Sequence, residues 1–195
     1  MCRARNLPHH LVARDALDIA SEASVERALG ALRPWAVVNA AGYVRVDDAE
    51  SEEPRCFREN ADGAATVAAG CSRRETALVT FSSDLVFDGR KGCPYLEDNA
   101  VAPLSVYGRS KAEGERRVLE TYPKALVVRT SAFFGPWDEH NFVAVTLAAL
   151  ERGEAVAVAA DSVITPTYVP ALVDTTLDLL IDGGRACGTS RTRTP

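Results

Sequence analysis

Tyr107 and Lys111, in the run Ser105-Val-Tyr-Gly-Arg-Ser-Lys111, are the residues of this chain whose types and spacing best suit chemistry. A tyrosine and a lysine four apart fall on one face of a helix, so both can reach the same substrate carbonyl. A tyrosine hydroxyl titrates near pH ~10, too high for acid work at neutral pH. A neighbouring ammonium favours the phenolate, which brings the hydroxyl toward working range as an acid or base. The same spacing also occurs by chance on surface helices, so the pair needs support from elsewhere in the chain.

Two segments supply it. Ala77-Leu-Val-Thr-Phe-Ser-Ser-Asp-Leu-Val-Phe-Asp-Gly89 is an apolar β-run that ends in hydroxyls and then a loop. Ala36-Val-Val-Asn-Ala-Ala-Gly42 is a second strand that opens into small residues, which let a flat ligand approach the backbone. With Leu17-Asp-Ile19, Val46-Asp-Asp-Ala-Glu50, Arg129-Thr-Ser131 and Pro166-Thr167, in this order from about Cys2 to about Gly184, the chain resembles the extended short-chain dehydrogenase/reductases. Within them it is most similar to the dTDP-4-dehydrorhamnose reductase family of sugar-nucleotide reductases.

That resemblance implies a catalytic set of Ser83, Tyr107 and Lys111, with NADPH as cofactor and NADH as the alternative. Ser83 orients the substrate carbonyl, Tyr107 protonates the developing alkoxide, and Lys111 lowers the tyrosine pKa and holds the ribose hydroxyls. Asp18 and Ile19 match the adenine-contacting pair, although Asp18 could equally start the following helix. Asn39, Ala40 and Ala41 lie beside the cofactor. Arg14 would pair with a 2′-phosphate, against the reading of an ordinary exposed arginine. Asn60 matches a position that supports the active site, against that of a solvated helix residue. Ser83, Asp84, Phe134, Trp137, Asn141 and Thr165 are the implied substrate contacts. Two departures leave the sugar open: Ala132 stands where family members often carry Trp, and Asp161-Ser-Val-Ile-Thr-Pro-Thr167 differs from the usual Asp-Gln-x-Gly-Ser-Pro-Thr.

The elements that must position these residues alternate between strand and helix, which argues for an α/β protein with a Rossmann-like, doubly wound parallel sheet. Strands are expected at His10–Ala13, Trp35–Ala41, Ala77–Ser82, Ala125–Thr130 and Ala155–Ala159. Helices are expected from Ser21 to Pro34, over about Pro54–Ser72 and Val106–Tyr122, and over Asn141–Gly153 and Pro170–Ile181. Ser131–Asp138 reads as a loop, and the resemblance implies that it starts a small substrate-binding region. No Gly-rich turn of the kind that cradles a pyrophosphate precedes Asn39, so the expectation is a partial dinucleotide-binding domain over 1–184 that lacks its first strand, Gly loop and helix. The run 185–195 is polar and without period. One choice of codons, read two bases on, turns it into a family-like Gly-Leu-Trp-His-Leu-Ala-Asn-Pro, which suggests a shifted reading frame; a natural polar tail is the alternative.

The bulk properties agree with an ordinary soluble domain: 195 residues, 47% hydrophobic, 25% charged. A net charge of −5 argues against a nucleic-acid partner, and no apolar run approaches the ~18–20 residues of a membrane span. Cys2, Cys56, Cys71, Cys93 and Cys187 are scattered, as free thiols in a reducing cytoplasm would be. His9, His10 and His140 show no metal-ligand spacing. The expected partner is a nucleotide-sugar substrate, and the resemblance admits a homodimer. A non-catalytic binding or regulatory module and an inactive gene fragment are the competing readings. The intact Ser/Tyr/Lys set opposes them and the missing Gly-rich turn favours them.

Overall fold

Helix α1 (Glu22–Leu32) starts where the Ser21 hydroxyl accepts a hydrogen bond from the Ser24 amide, 3.4 Å away. It stops at Arg33, which takes a left-handed backbone (φ 42°) ahead of Pro34, a residue that disfavours helix in its predecessor. The computed structural model describes residues 1–139, 141–159, 163–183 and 186–189. After α1 come β1 (Ala36–Asn39), α2 (Glu53–Phe57) and α3 (Gly63–Arg73), the last two joined by a π-helical turn over Arg58–Asp62. The sequence pattern treats this stretch as one helix. The wider turn inside it is a feature that hydrophobic periodicity does not register. Next follow β2 (Ala77–Ser83), α4 (Val106–Thr121), β3 (Leu126–Thr130), β4 (Phe133–Phe134), α5 (Phe142–Glu151), β5 (Thr167–Tyr168), α6 (Val169–Ile181) and β6 (Ala186–Thr189).

Strands β1, β2, β3 and β6 form one parallel sheet in that order, and β4 pairs with β5 in a second, two-stranded one. Alternate side chains of the main sheet feed two cores. Leu78 and Val127 point into a cluster with Val25 and Leu29 of α1, Val67, Ala68 and Cys71 of α3, and Val118 of α4. Val79, Leu126 and Val128 point the other way, onto Leu172 and Leu180 of α6. Helices thus cover both faces, the arrangement of a Rossmann-like doubly wound sheet, whose ligands bind beyond the carboxyl ends of the strands.

Four local expectations differ from the structure. His10–Ala13 is irregular: Leu11 is 94% exposed, and no ladder pairs with this segment among the described residues. An extended run without a partner strand is not a strand. Ala155–Ala159 is irregular and largely exposed for the same reason. The loop over Ser131–Asp138 contains β4, held in register by Phe133 opposite Thr167. In the polar run after 184, Ala186–Thr189 adds an edge strand to β3, with Leu126 opposite Ala186; the rest of that run lies outside the described residues. Among the described residues no helix is long and apolar enough to cross a membrane.

Helix α4 is set by close backbone approach. A Cβ at Gly108 would lie 2.2 Å from the Leu85 carbonyl oxygen, so only glycine lets the helix start directly against the turn Asp84–Val86 that follows β2. Gly108→Ala is expected to destabilise the chain by ~1–3 kcal/mol, the usual cost of an overpacked site whose neighbour is backbone. Urea denaturation of the two proteins measures it, and equal midpoints would contradict this packing.

Candidate active site

The carboxyl end of β2 carries Ser83, which is buried. Its Oγ accepts a hydrogen bond from the Leu85 amide (3.2 Å) and donates to Asp84 Oδ1 (3.1 Å). The second Asp84 oxygen accepts from Ser131 Oγ at 2.5 Å, so the ends of β2 and β3 are tied together. Helix α4 enters beside them. Its first turn is capped by Ser105 Oγ, which accepts from the Gly108 amide (3.0 Å), and by Glu50 Oε1, which accepts from the Val106 amide (2.8 Å). One turn further on, Lys111 Nζ donates to the Phe81 carbonyl at 3.3 Å and stands 5.7 Å from the centre of the Tyr107 ring. The structure therefore brings Ser83, Tyr107 and Lys111 together at the carboxyl end of one strand.

Asn60, in the π-helical turn, is buried and braces this corner. Its Oδ1 accepts from the Tyr43 amide (2.9 Å), while Nδ2 donates to the Tyr43 carbonyl (3.2 Å) and to Ser110 Oγ (3.0 Å). Ser110 donates its single hydroxyl proton to the Tyr107 carbonyl at 2.7 Å. The Cys56 thiol, 3.1 Å from Ser110 Oγ, must then be the donor of that pair. Burial pushes the Cys56 thiol up, in keeping with a thiol that retains its proton. The turn after β1 fits beneath Asn60 because it is glycine: a Cβ at Gly42 would sit 2.6 Å from Asn60 Oδ1 and 3.5 Å from Lys111 Nζ.

The electrostatics reverse one expectation. The spacing argument has the Lys111 ammonium acidify Tyr107. Instead, burial pushes the Tyr107 phenol up to about 12, with the Cys56 thiol and the Asp84 carboxylate adding to the shift. Burial also lowers Lys111 to about 8, against the opposing pull of Cys56 and Glu115. Tyr107 is consequently a fully protonated phenol at neutral pH, suited to giving a proton rather than taking one.

The other expected residues are placed as follows. Asn39 is buried, donates to Thr80 Oγ1 (3.3 Å) and accepts from the Ala41 amide (3.2 Å), which shapes the turn that exposes Ala40 and Ala41. This open edge of small residues beside Lys111 fits a flat cofactor ring. Arg14 is ion-paired with the buried Glu59, which Arg55 also contacts. Asp18 accepts from Arg58 (2.5 Å) and from the Ala20 amide (3.0 Å). Ile19 packs against the core cluster under α1 and α3. Of the expected substrate contacts, the Phe134 ring lies 5.3 Å from that of Tyr168, Trp137 is 83% exposed and Thr165 is exposed. Asn141 caps α5 by accepting from the Ala144 amide (3.0 Å). Asp161 and Ser162 of the divergent segment lie outside the described residues, as does His140.

Tyr43, Cys56, Ser110, Glu115 and Arg129 were not legible as parts of this corner. The charge inside the apolar run Leu126-Val-Val-Arg-Thr130 was a usable signal, because a buried guanidinium demands a partner.

The Lys111 shift has a measurable consequence. The unfolded chain holds this proton up to about 10.5 and the folded chain releases it at about 8. Between those values the unfolded state binds more protons, so folding stability from this group rises with pH. Urea titrations across that window should show a positive slope that Lys111→Met diminishes. An identical slope in the variant would refute the shift.

Comparison with known proteins adds the family. A profile described as the RmlD substrate binding domain matches residues 2–189. The chain is 38% identical over 152 residues to dTDP-4-dehydrorhamnose reductase of Aggregatibacter actinomycetemcomitans, which covers 78% of this chain and 51% of that protein. It is 33% identical over 184 residues to dTDP-4-keto-6-deoxy-D-glucose reductase of Streptomyces niveus, covering 94% and 64%. The chain thus spans about half to just under two thirds of the length of these curated relatives. The crystal structure of dTDP-4-dehydrorhamnose reductase from Bacillus anthracis in complex with NADP superposes with a TM-score of 0.93 at 30% identity, covering 98% of this chain and 68% of that one. With a Ser/Tyr/Lys corner on a doubly wound sheet and a profile match along nearly its whole length, the chain belongs to the RmlD family of dTDP-4-dehydrorhamnose reductase-like proteins, among the extended short-chain dehydrogenase/reductases.

Proposed function

We propose that this chain carries the catalytic corner of an NADPH-dependent reductase that converts the 4-keto group of a nucleotide-linked deoxysugar to an alcohol, as in the making of dTDP-rhamnose. The observation that carries the proposal is the convergence of Ser83, Tyr107 and Lys111 at the carboxyl end of β2, beside the small-residue turn Asn39–Gly42. NADPH would supply the hydride that reduces the carbonyl carbon. Lys111, with Asn39, Ala40 and Ala41, would hold its reacting end.

Ser83 Oγ donates to the substrate carbonyl in exchange for Asp84, orienting it and stabilising negative charge on the oxygen. Tyr107 then gives its proton to that oxygen, closing the reaction as an alcohol. A raised phenol pKa suits this step: the proton stays on the donor until an alkoxide, a much stronger base, forms beside it. Lys111 steadies the phenolate left behind. The free thiols Cys2, Cys56, Cys71 and Cys93 support a reducing, cytoplasmic setting.

Arg14 supports NADPH over NADH. Its side chain is 67% exposed although paired to Glu59, so it is open to a 2′-phosphate at the rim.

The test is an assay of cofactor oxidation with dTDP-4-dehydrorhamnose and related 4-keto sugar nucleotides. Tyr107→Phe keeps the ring and removes the donor, so turnover should fall ~10²–10⁴-fold with unchanged circular dichroism. Ser83→Ala should cost less, because hydride and proton donors remain. Near-full turnover in Tyr107→Phe would overturn the assignment. A chain that binds NADPH but reduces none of these sugars would favour a non-catalytic binding module.

A further inference from the structure

Arg129 interrupts an apolar strand, and its guanidinium is 6% exposed. A charge so placed is tolerated only when paired and hydrogen-bonded. Its partner is Glu115 of α4, equally buried, in a two-pronged pair: Nε donates to Oε1 at 2.9 Å and Nη2 to Oε2 at 2.6 Å. Nη1 donates to the Glu97 carbonyl at 3.2 Å, and the guanidinium lies 4.9 Å from the centre of the Phe87 ring. Phe87 and Glu97 both belong to the connection that runs from Ser83 to the start of α4. In the sheet, Arg129 stands opposite Ser82, next to Ser83.

Glu115 is four residues beyond Lys111, so the two share a face of α4 at the spacing where a lysine and a glutamate attract. Yet the Lys111 ammonium turns the other way, to the Phe81 carbonyl. Arg129 occupies both carboxylate oxygens of Glu115. The titratable groups around Lys111 are Cys56 from α2 and Tyr107 and Glu115 from α4, with Asp84 acting on Tyr107 beyond the end of β2.

We propose that Arg129 is a positioning residue: by engaging Glu115 on both oxygens it keeps the Lys111 ammonium aimed at the carboxyl end of β2, and through Phe87 and the Glu97 carbonyl it fixes the connection between Ser83 and Tyr107. The catalytic meaning of this rests on the reading of Lys111 given under the proposed function. The physical claim concerns Lys111 alone and can be tested without any reductase assay.

The test measures the rate of Lys111 acylation by acetic anhydride as a function of pH, with the modified peptide quantified by mass spectrometry. In the wild-type chain the midpoint should lie at about 8. Arg129→Met unpairs the Glu115 carboxylate and should raise the midpoint by about one unit, slowing acylation at neutral pH ~10-fold. Glu115→Gln removes a carboxylate that favours the Lys111 ammonium, and should lower the midpoint. The double variant Arg129→Met/Glu115→Gln should return it close to wild type. A role in packing alone would loosen the corner and raise the midpoint in the double variant too, so failure of the second change to restore it would overturn the proposal, as would an unmoved midpoint in Arg129→Met. Should Arg129→Met fail to melt cooperatively, Glu115→Gln decides: a midpoint unchanged or raised would overturn the proposal.

Discussion

The carboxamide of Asn60 is the interaction on which the corner depends. One buried side chain bonds both backbone groups of Tyr43 and the hydroxyl of Ser110, and Ser110 passes the constraint to the carbonyl of Tyr107. The turn after β1, the helical run α2–α3 and helix α4 therefore share one hydrogen-bonded node. In a low-dielectric interior such a network rigidifies when every member is satisfied and is costly when any member is lost. The π-helical turn supplies the node: the wider turn over Arg58–Asp62 interrupts the helix at the position of Asn60.

With α4 seated in this way, the chemistry of Tyr107 and Lys111 follows from burial more than from their mutual attraction. Both groups are pushed toward their neutral forms, the phenol up and the ammonium down. That combination keeps the phenol protonated at neutral pH, beside a lysine lowered to about 8. The pair Arg129–Glu115 complements this arrangement, since a free carboxylate on the Lys111 face would draw the ammonium away from the site.

The two flanks of this corner are built differently. Next to the Ser/Tyr/Lys corner the chain offers small, closely approached backbone, with Gly42 fitted under Asn60 and Lys111. On the far side the two-residue strands β4 and β5 and the cap of α5 organise Phe134, Tyr168 and Asn141, while Trp137 projects into solvent. Rigid framework at the corner and looser structure beyond it is the usual division between scaffold and variable elements.

The sequence by itself determined the parts governed by local rules. The Tyr107/Lys111 spacing, the hydroxyls closing β2, the Ser21 cap and the alternation of strand and helix all rest on interactions within a few residues, and they led to the fold and to the family. It did not determine which isolated runs pair: His10–Ala13 and Ala155–Ala159 carry strand-like composition without a ladder among the described residues, while Ala186–Thr189 pairs despite a polar setting. Pairing is a long-range matter, as are burial and the partners of charges. Asn60, a plausible solvated helix residue on paper, is the buried brace; Arg14 and Asp18 are tied to Glu59 and Arg58; and the sign of the Tyr107 shift follows desolvation rather than its lysine neighbour. Only the tertiary structure decides these, because the dielectric around a group and the neighbours it meets come from residues far away in the chain.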